Sequence, residues 1–175
     1  IDEFTELTQH ENYLLIKKYP IFMPYLSGIR TPHEYPNIEG SIFGLNLNTN
    51  KKNIAWTIIE GISFIFKECQ DILINNNYSF PKEIVLIGGG AKNIQWAKIL
   101  SSLLNVKILV PENQDYVASI GAIRLAMNNL TMSKYKPIFP ESNVIDVDLR
   151  LREILLDRFD RYVEHQKLLF NLKNC

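Results

Sequence analysis

Residues 83 to 93 read EIVLIGGGAKN, a short apolar run that drives straight into three consecutive glycines. Branched residues at 83–87 predict a strand. The glycines at 88, 89 and 90 predict the turn, and Trp96, Ile99, Leu100 and Leu103 fall on one face of a helix over 93–104. A strand, a side-chain-free turn and a helix start place unpaired backbone N–H groups and the positive end of a helix dipole at one point, which favours an anion. Glycine there also lets a ligand reach the backbone. The spacing is neither the dinucleotide GxGxxG nor the GxxxxGK[ST] of a P-loop. A turn that only packs tightly is the competing reading.

The rest of the chain sets this unit in an alternating order. Residues 1–19 predict a helix and a short loop, stopped by Pro20. A short buried strand over 21–26 follows, with Pro24 marking an edge position or an early stop. Gly28, Pro32, Pro36 and Gly40 make 27–40 a long shaped loop, and a loop of that length in a compact domain points to function. A helix is predicted over 51–76, capped by Asn50 or Asn53 and ended by Asn75, Asn76 and Asn77. Its inward stripe is read as Ile54, Ile58, Ile62, Ile65, Phe66, Cys69, Ile72 and Leu73, widened by Trp56 and Phe64. A strand at 106–110 precedes a helix at 116–129 with Asp115 as its cap and with small residues Ala118, Ser119, Gly121 and Ala122 for close packing. Pro137 and Pro140 punctuate the loop at 131–144, read as a connection within a single domain. A last amphipathic helix is placed at 147–171, with Leu151, Ile154, Leu155, Phe159, Tyr162 and Leu169 inward and Arg150, Arg152, Arg158 and Arg161 on a solvated face. The order predicts an α/β layer with at least two parallel strands.

Composition narrows the function classes. The 175 residues are 46% hydrophobic and 22% charged, and 19 basic residues balance 19 acidic ones. That balance gives no electrostatic case for nucleic acid or for an acidic membrane surface. No apolar run approaches a membrane span. Cys69 and Cys175 have no spacing of a zinc site or disulfide framework, so the expectation is reduced cytoplasmic thiols and no metal ligands. The chain opens at Ile1, which reads as the start of a cut piece.

Four segments together resemble the C-terminal half of the FGGY carbohydrate kinase family, nearest its xylulokinases. Gly88, Gly89, Gly90, Ala91 and Asn93 match the family's GGGA turn, with Ile94, Gln95 and Trp96 continuing into its helix. Gly40, Ile42, Gly44, Leu45, Asn53, Ile54, Ile58, Ile59 and Glu60 fit the family's longer signature, from which Thr57 departs. PYLSGIRTPH at 24–33 is similar to the xylulokinase PYLSGERTPH, with Ile29 in place of a glutamate beside Arg30. DYVASIGAIRLA at 115–126 resembles the segment ending in GAARLA.

The resemblance implies a ribonuclease-H-like domain of the actin-like ATPase type over 1–175, with the strands that complete its sheet before residue 20 missing. It implies ATP with Mg2+ as cofactors, D-xylulose as the sugar and the N-terminal half of the same enzyme as partner. A homodimer is a further partner expectation. Nucleotide contacts fall on Gly88, Gly89, Gly90, Ala91 and Asn93. Arg30, Thr31 and His33 form a loop facing the cleft, where Arg30 is either a surface group or a phosphate ligand and His33 either braces the loop or acts in it. Glu60 is expected in a structural pair. The catalytic aspartate of the family has no match here, so the implied expectation is no activity for this chain by itself. A kinase for ribulose or another polyol, and a non-catalytic nucleotide-binding remnant, are the other readings.

Overall fold

The computed structural model describes residues 2–9, 12–112, 117–131 and 141–173. The expected cap Asp115, the prolines 137 and 140, and Cys175 lie outside these residues. Helix α1 (Asp2–Thr8) and a 3-10 turn (Tyr13–Lys18) lead into strand β1 (Ile21–Met23). Pro24 ends β1 early, and β1 pairs antiparallel with β2 (Ser41–Phe43) in register Ile21↔Phe43. β2 is too short to show any alternation and was not expected from the sequence. The 27–40 loop between them is closed by backbone bonds between Ile29 and Tyr35.

Helix α2 (Lys51–Asn75) starts in a capping box: the Asn50 side chain accepts from Asn53 N–H, and the Asn53 side chain accepts from Asn50 N–H. Both candidate caps are therefore used, one at each end of the same box. Asn76 caps the other end and Asn77 turns the chain with φ of 63°. Then β3 (Glu83–Val85), α3 (Ile94–Leu104), β4 (Lys107–Pro111), α4 (Val117–Thr131), β5 (Ser142–Ile145) and α5 (Leu149–Lys173) follow. β3 and β4 pair in parallel and β4 and β5 antiparallel, giving the order β3-β4-β5. The expected parallel pair is present, and β5 is an added strand inside what reads as a connecting loop.

Two cores meet at α3. Ala97, Leu100 and Leu104 pack with Ala91, Val106, Ile108 and Val110 against the three-stranded sheet. Ile99 and Leu103 belong to the larger core made by α2, α5, β1 and the 27–40 loop. Trp96 packs against both.

The stripe expected to bury α2 is only half buried, and Phe66 and Leu73 stay 47% and 41% exposed. The buried face instead carries Asn53, Thr57, Glu60, Ser63, Glu68 and Gln70 beside Trp56, Ile59 and Phe64. Every one of these polar groups has a partner: Thr57 Oγ1 donates to Pro20 O, Ser63 Oγ to Ile59 O and Gln70 Nε2 to Leu104 O. Periodicity counts polar residues as outward, and paired polar residues break that rule.

Arg158 is the second correction. It is fully buried, not part of a solvated face. Its Nε and Nη2 donate to the two oxygens of Glu60, each at 2.6 Å. Nη1 donates to Ile16 O and Tyr19 O, and Nη2 also to Pro20 O. Five donors meet five acceptors, which is what lets a guanidinium sit inside a protein. Arg152 and Arg161 are staples too: Arg152 Nη1 donates to Ser102 O and Leu103 O at the end of α3, and Arg161 Nη1 to Lys17 O. At Gly121 of α4 an added Cβ would meet nothing within 4 Å among the described residues, so no close packing there depends on this glycine.

Replacing Arg158 with Met is expected to cost about 3–5 kcal/mol in urea unfolding, since it strands the Glu60 carboxylate. The double variant Arg158→Met with Glu60→Leu should recover only part of that loss, because three backbone carbonyls lose the guanidinium, although Ile16 O keeps Tyr19 N–H and Pro20 O keeps Thr57 Oγ1. Recovery of full stability in the double variant would contradict this account. Arg150→Met, at an exposed position, should stay within about 0.5 kcal/mol of the parent.

Candidate functional site

The chain leaves the sheet one residue after β3, where Leu86 N–H still donates to Leu109 O at 2.9 Å. Gly88 then adopts φ of 93°, a conformation that excludes most side chains. A 3-10 turn over Gly89–Lys92 follows, closed by Ala91 N–H to Gly88 O and Asn93 N–H to Gly90 O, both 3.0 Å. α3 begins at Ile94, with Asn93 as its N-cap: Asn93 Oδ1 accepts from Trp96 N–H at 3.1 Å.

The three glycines have three different physical reasons. Gly88 is demanded by its backbone angle. Gly90 is demanded by packing, since a Cβ there would lie 2.2 Å from Cζ3 of Trp96. The indole is fixed from behind by Nε1–H donation to Ser63 Oγ at 3.0 Å. At Gly89 a Cβ would meet nothing within 4 Å, and no positive φ is imposed. Neither folding nor packing requires glycine at 89, and what its missing side chain leaves is room above the backbone.

Beside the turn lies a cleft of about 460 Å³, lined by Phe4, Thr5, Ile58, Ile59, Ile62, Gly89, Gly90, Asn93 and Trp96. Its walls are mostly apolar and aromatic. Asn93 is buried, and its Nδ2 donates to Thr8 Oγ1 at 3.1 Å. Its amide thus ties α1 to the start of α3, and positions the turn. The Ala91 side chain is fully buried in the sheet-side core and only its backbone faces the turn. Among the described residues no group of three His, Cys, Asp or Glu side chains is placed to hold a metal ion.

The second expected patch stands apart. Arg30 and Thr31 are exposed, and neither they nor His33 line the glycine cleft. Ile29 is buried in the larger core, so its side chain points away from the exposed guanidinium of Arg30. His33 Nε2 lies 2.9 Å from Glu68 Oε1, and its ring meets Phe170 edge-on at 5.2 Å. Tyr35 stacks on the same Phe170 at 4.2 Å. These contacts brace the loop on α2 and α5. Glu68 is six residues beyond Ile62 on α2, about 9 Å further along the axis.

Sequence reasoning missed the buried network behind His33. Gln166 Nε2 donates to Tyr25 Oη at 2.6 Å and to Glu68 Oε1 at 2.7 Å. The Tyr25 and Tyr162 hydroxyls lie 2.6 Å apart, and Tyr162 donates to Glu68 Oε2 at 3.4 Å. Burial pushes the Tyr25 hydroxyl up to about 12. Burial, helped by the nearby Glu68 charge, raises Tyr162 as well. A usable signal existed: Arg158, Tyr162 and Gln166 are spaced by four along α5, and Glu60 and Glu68 by eight along α2.

Residues 5–130 match the model of the FGGY family of carbohydrate kinases, C-terminal domain. The chain belongs to this family. It is 38% identical over 107 residues to a xylulose kinase of Staphylococcus xylosus, covering 61% of this chain and 22% of that protein. A gluconokinase of Bacillus subtilis is 28% identical over 114 residues, 61% of this chain and 21% of that protein. The crystal structure of a xyloylose kinase from Brucella ovis superposes with a TM-score of 0.86 at 26% identity, over 98% of this chain and 35% of that one. The α/β fold is therefore that of an FGGY C-terminal domain, and the chain spans about a third or less of these relatives. No helix among the described residues is long and apolar enough to cross a membrane.

Gly90→Ala should destabilise the fold by about 1–3 kcal/mol through displacement of the indole, whereas Gly89→Ala should leave the melting temperature unchanged. Thermal unfolding of both variants checks the assignment, and equal losses would refute it. The raised Tyr25 predicts a pH effect. An unfolded tyrosine ionises near 10 and the folded one near 12, so the contribution is full below pH 10 and fades as pH rises toward 12. Stability of the parent should fall over that window, and Tyr25→Phe should flatten the fall. An unchanged alkaline limb in the variant would remove Tyr25 as its source.

Proposed function

We propose that this chain is the nucleotide-binding part of a carbohydrate kinase that transfers the γ-phosphate of MgATP to D-xylulose, giving xylulose 5-phosphate. The observation that carries the nucleotide reading is the open space above Gly89, set between a helix start and an apolar cleft. In this reading the backbone N–H groups at Gly88, Gly89 and Gly90 receive phosphate or ribose oxygens. Phe4, Ile62 and Trp96 offer apolar surface to the base. Ala91 and Asn93 hold the turn in shape from below. Bound MgATP supplies the transferable phosphoryl group and the charge neutralisation that this chemistry needs.

The chain's own residues orient and exclude water; they supply no base. The proton acceptor for the sugar hydroxyl belongs to the N-terminal half of the enzyme, and this chain alone is proposed to be inactive. The exposed Arg30 and Thr31, on a loop braced by His33, lie on the surface proposed to meet that half. The PYLSGIRTPH loop and the xylulose kinase relatives support the sugar. The gluconokinase relative supports a second reading, a kinase for another sugar or polyol, of the ribulose, gluconate or glycerol type.

Isothermal titration with ADP tests the first half of the proposal. Binding by the parent and a loss of about tenfold or more in Gly89→Val, with an unchanged melt, is the expected result. Equal affinity in parent and variant would remove Gly89 from the site. A coupled assay of the complete enzyme on D-xylulose, D-gluconate and glycerol tests the second half, and a preference other than D-xylulose would replace the sugar named here.

A further inference from the structure

The loop over 27–40 is fixed at its base from several sides. Gly28 takes φ of 77°, and a Cβ there would lie 2.3 Å from Pro36 O, so the two strands of the loop touch. Beside that contact Ile29 N–H donates to Tyr35 O at 3.0 Å, and Tyr35 N–H to Ile29 O at 2.9 Å. Ile29 and Ile38 are buried in the larger core, and the rings of His33 and Tyr35 rest on Phe170. What remains is a tip of residues 30–34, in which Arg30, Thr31 and Glu34 are exposed.

The polar groups of this tip are not used by the fold. The Arg30 guanidinium has neither ion pair nor hydrogen bond among the described residues. His33 is used at one nitrogen only. Gln166 Nε2 and Tyr162 Oη both donate to Glu68, whose carboxylate offers acceptors alone, so His33 Nε2 carries the proton that it gives to Oε1. No hydrogen bond reaches the other nitrogen, Nδ1, among the described residues. The buried side-chain atoms without a partner among those residues are Ser41 Oγ and Gln95 Nε2, so Nδ1 faces solvent. In the neutral ring, with the proton on Nε2, it is an acceptor. A rigid loop that ends in an unpaired guanidinium and an oriented ring nitrogen has met its ordering cost before a partner arrives.

We propose that residues 30–33 are a closing contact of the intact kinase, with Glu68 as the positioning residue behind it. This rests on the kinase reading above. Residues 30–33 line none of the clefts beside the glycines, at the start of α3 or at the start of α2, so a small molecule is not what this chain holds there by itself. Most of the length of the relatives lies outside the chain, and the N-terminal half is the surface that the tip meets. Arg30 pairs with a carboxylate of that half, and His33 Nδ1 accepts from a hydroxyl or amide N–H next to it. A donor and an acceptor side by side fix the orientation in which the halves meet. Both Glu68 oxygens are held from α5, by Gln166 and Tyr162, so the ring direction is set by α2 and α5 and not by the loop. Exposed polar contacts of this kind suit a closure that is made and released in each turnover.

Small-angle X-ray scattering and steady-state kinetics of the complete enzyme test this contact, with ADP and whichever sugar the parent phosphorylates, so that the choice of sugar stands or falls separately. The two ligands together are expected to reduce the radius of gyration of the parent. In His33→Gln the amide still donates to Glu68 but places no acceptor where Nδ1 stood. This variant should keep the melting temperature and the ADP affinity, lower kcat about tenfold and lose most of the contraction. Arg30→Met should act in the same direction, and the double variant should lose less than the product of the two, because both act in one contact. If His33 only braces the loop, His33→Gln keeps the parent's kcat and full contraction, and that result would overturn the proposal. A matching loss of ADP affinity would overturn it by placing the tip in the nucleotide site. A parent that phosphorylates no sugar removes the kinase reading and this contact with it, whereas an active parent with an unaltered His33→Gln removes this contact alone.

Discussion

The five hydrogen bonds of Arg158 hold the domain in one arrangement. The guanidinium joins the middle of α5 to Glu60 on α2 and, through Ile16, Tyr19 and Pro20, to the segment that delivers the chain into β1. A buried charge with every donor used tolerates no sliding: moving α5 by one turn would take the guanidinium from both Glu60 oxygens and from the three carbonyls together. Apolar packing between the same helices would accept several registers. The pair therefore selects which one is built, and Trp56, whose Nε1 lies 3.3 Å from Glu60 Oε1, reinforces the choice.

Eight residues along each helix the same device recurs with a neutral amide in place of the guanidinium. Gln166 meets Glu68 as Arg158 meets Glu60, so α2 and α5 run side by side in the same direction with two polar rungs. Between the rungs Phe64 packs on Tyr162 with ring centres 5.1 Å apart. The lower rung carries His33 and the loop with Arg30 and Thr31. The position of that loop is thus inherited from a helix register set two turns away.

The sequence made the order of elements legible wherever a breaker stood beside a periodic run. Asn50 and Asn53, Pro24, the asparagines at 75–77 and the glycine turn all act through local backbone chemistry, and all appear where expected. The strands β2 and β5 were not legible, because three or four residues cannot show a period and their pairing is decided at long range. Which side of α2 is buried was misread for a single reason. Its inner face is polar, and a polar residue announces burial only through its partner, which for Glu60 and Glu68 lies 98 positions away. For the site, the glycines were visible but their separate causes were not. Only the position of the Trp96 ring shows that Gly90 serves packing while Gly89 leaves space.

α3 is clamped on both sides, by the sheet through Ala97, Leu100 and Leu104 and by the helical core through Ile99 and Leu103. Its first turn is capped, its last carbonyls are held by Arg152, and its tryptophan is pinned to α2. The glycine turn grows out of this helix with no slack between them. The shape of the turn is therefore set by the packing of α3, and in the nucleotide reading proposed above it is the fixed wall of the cleft that α1 closes on the other side.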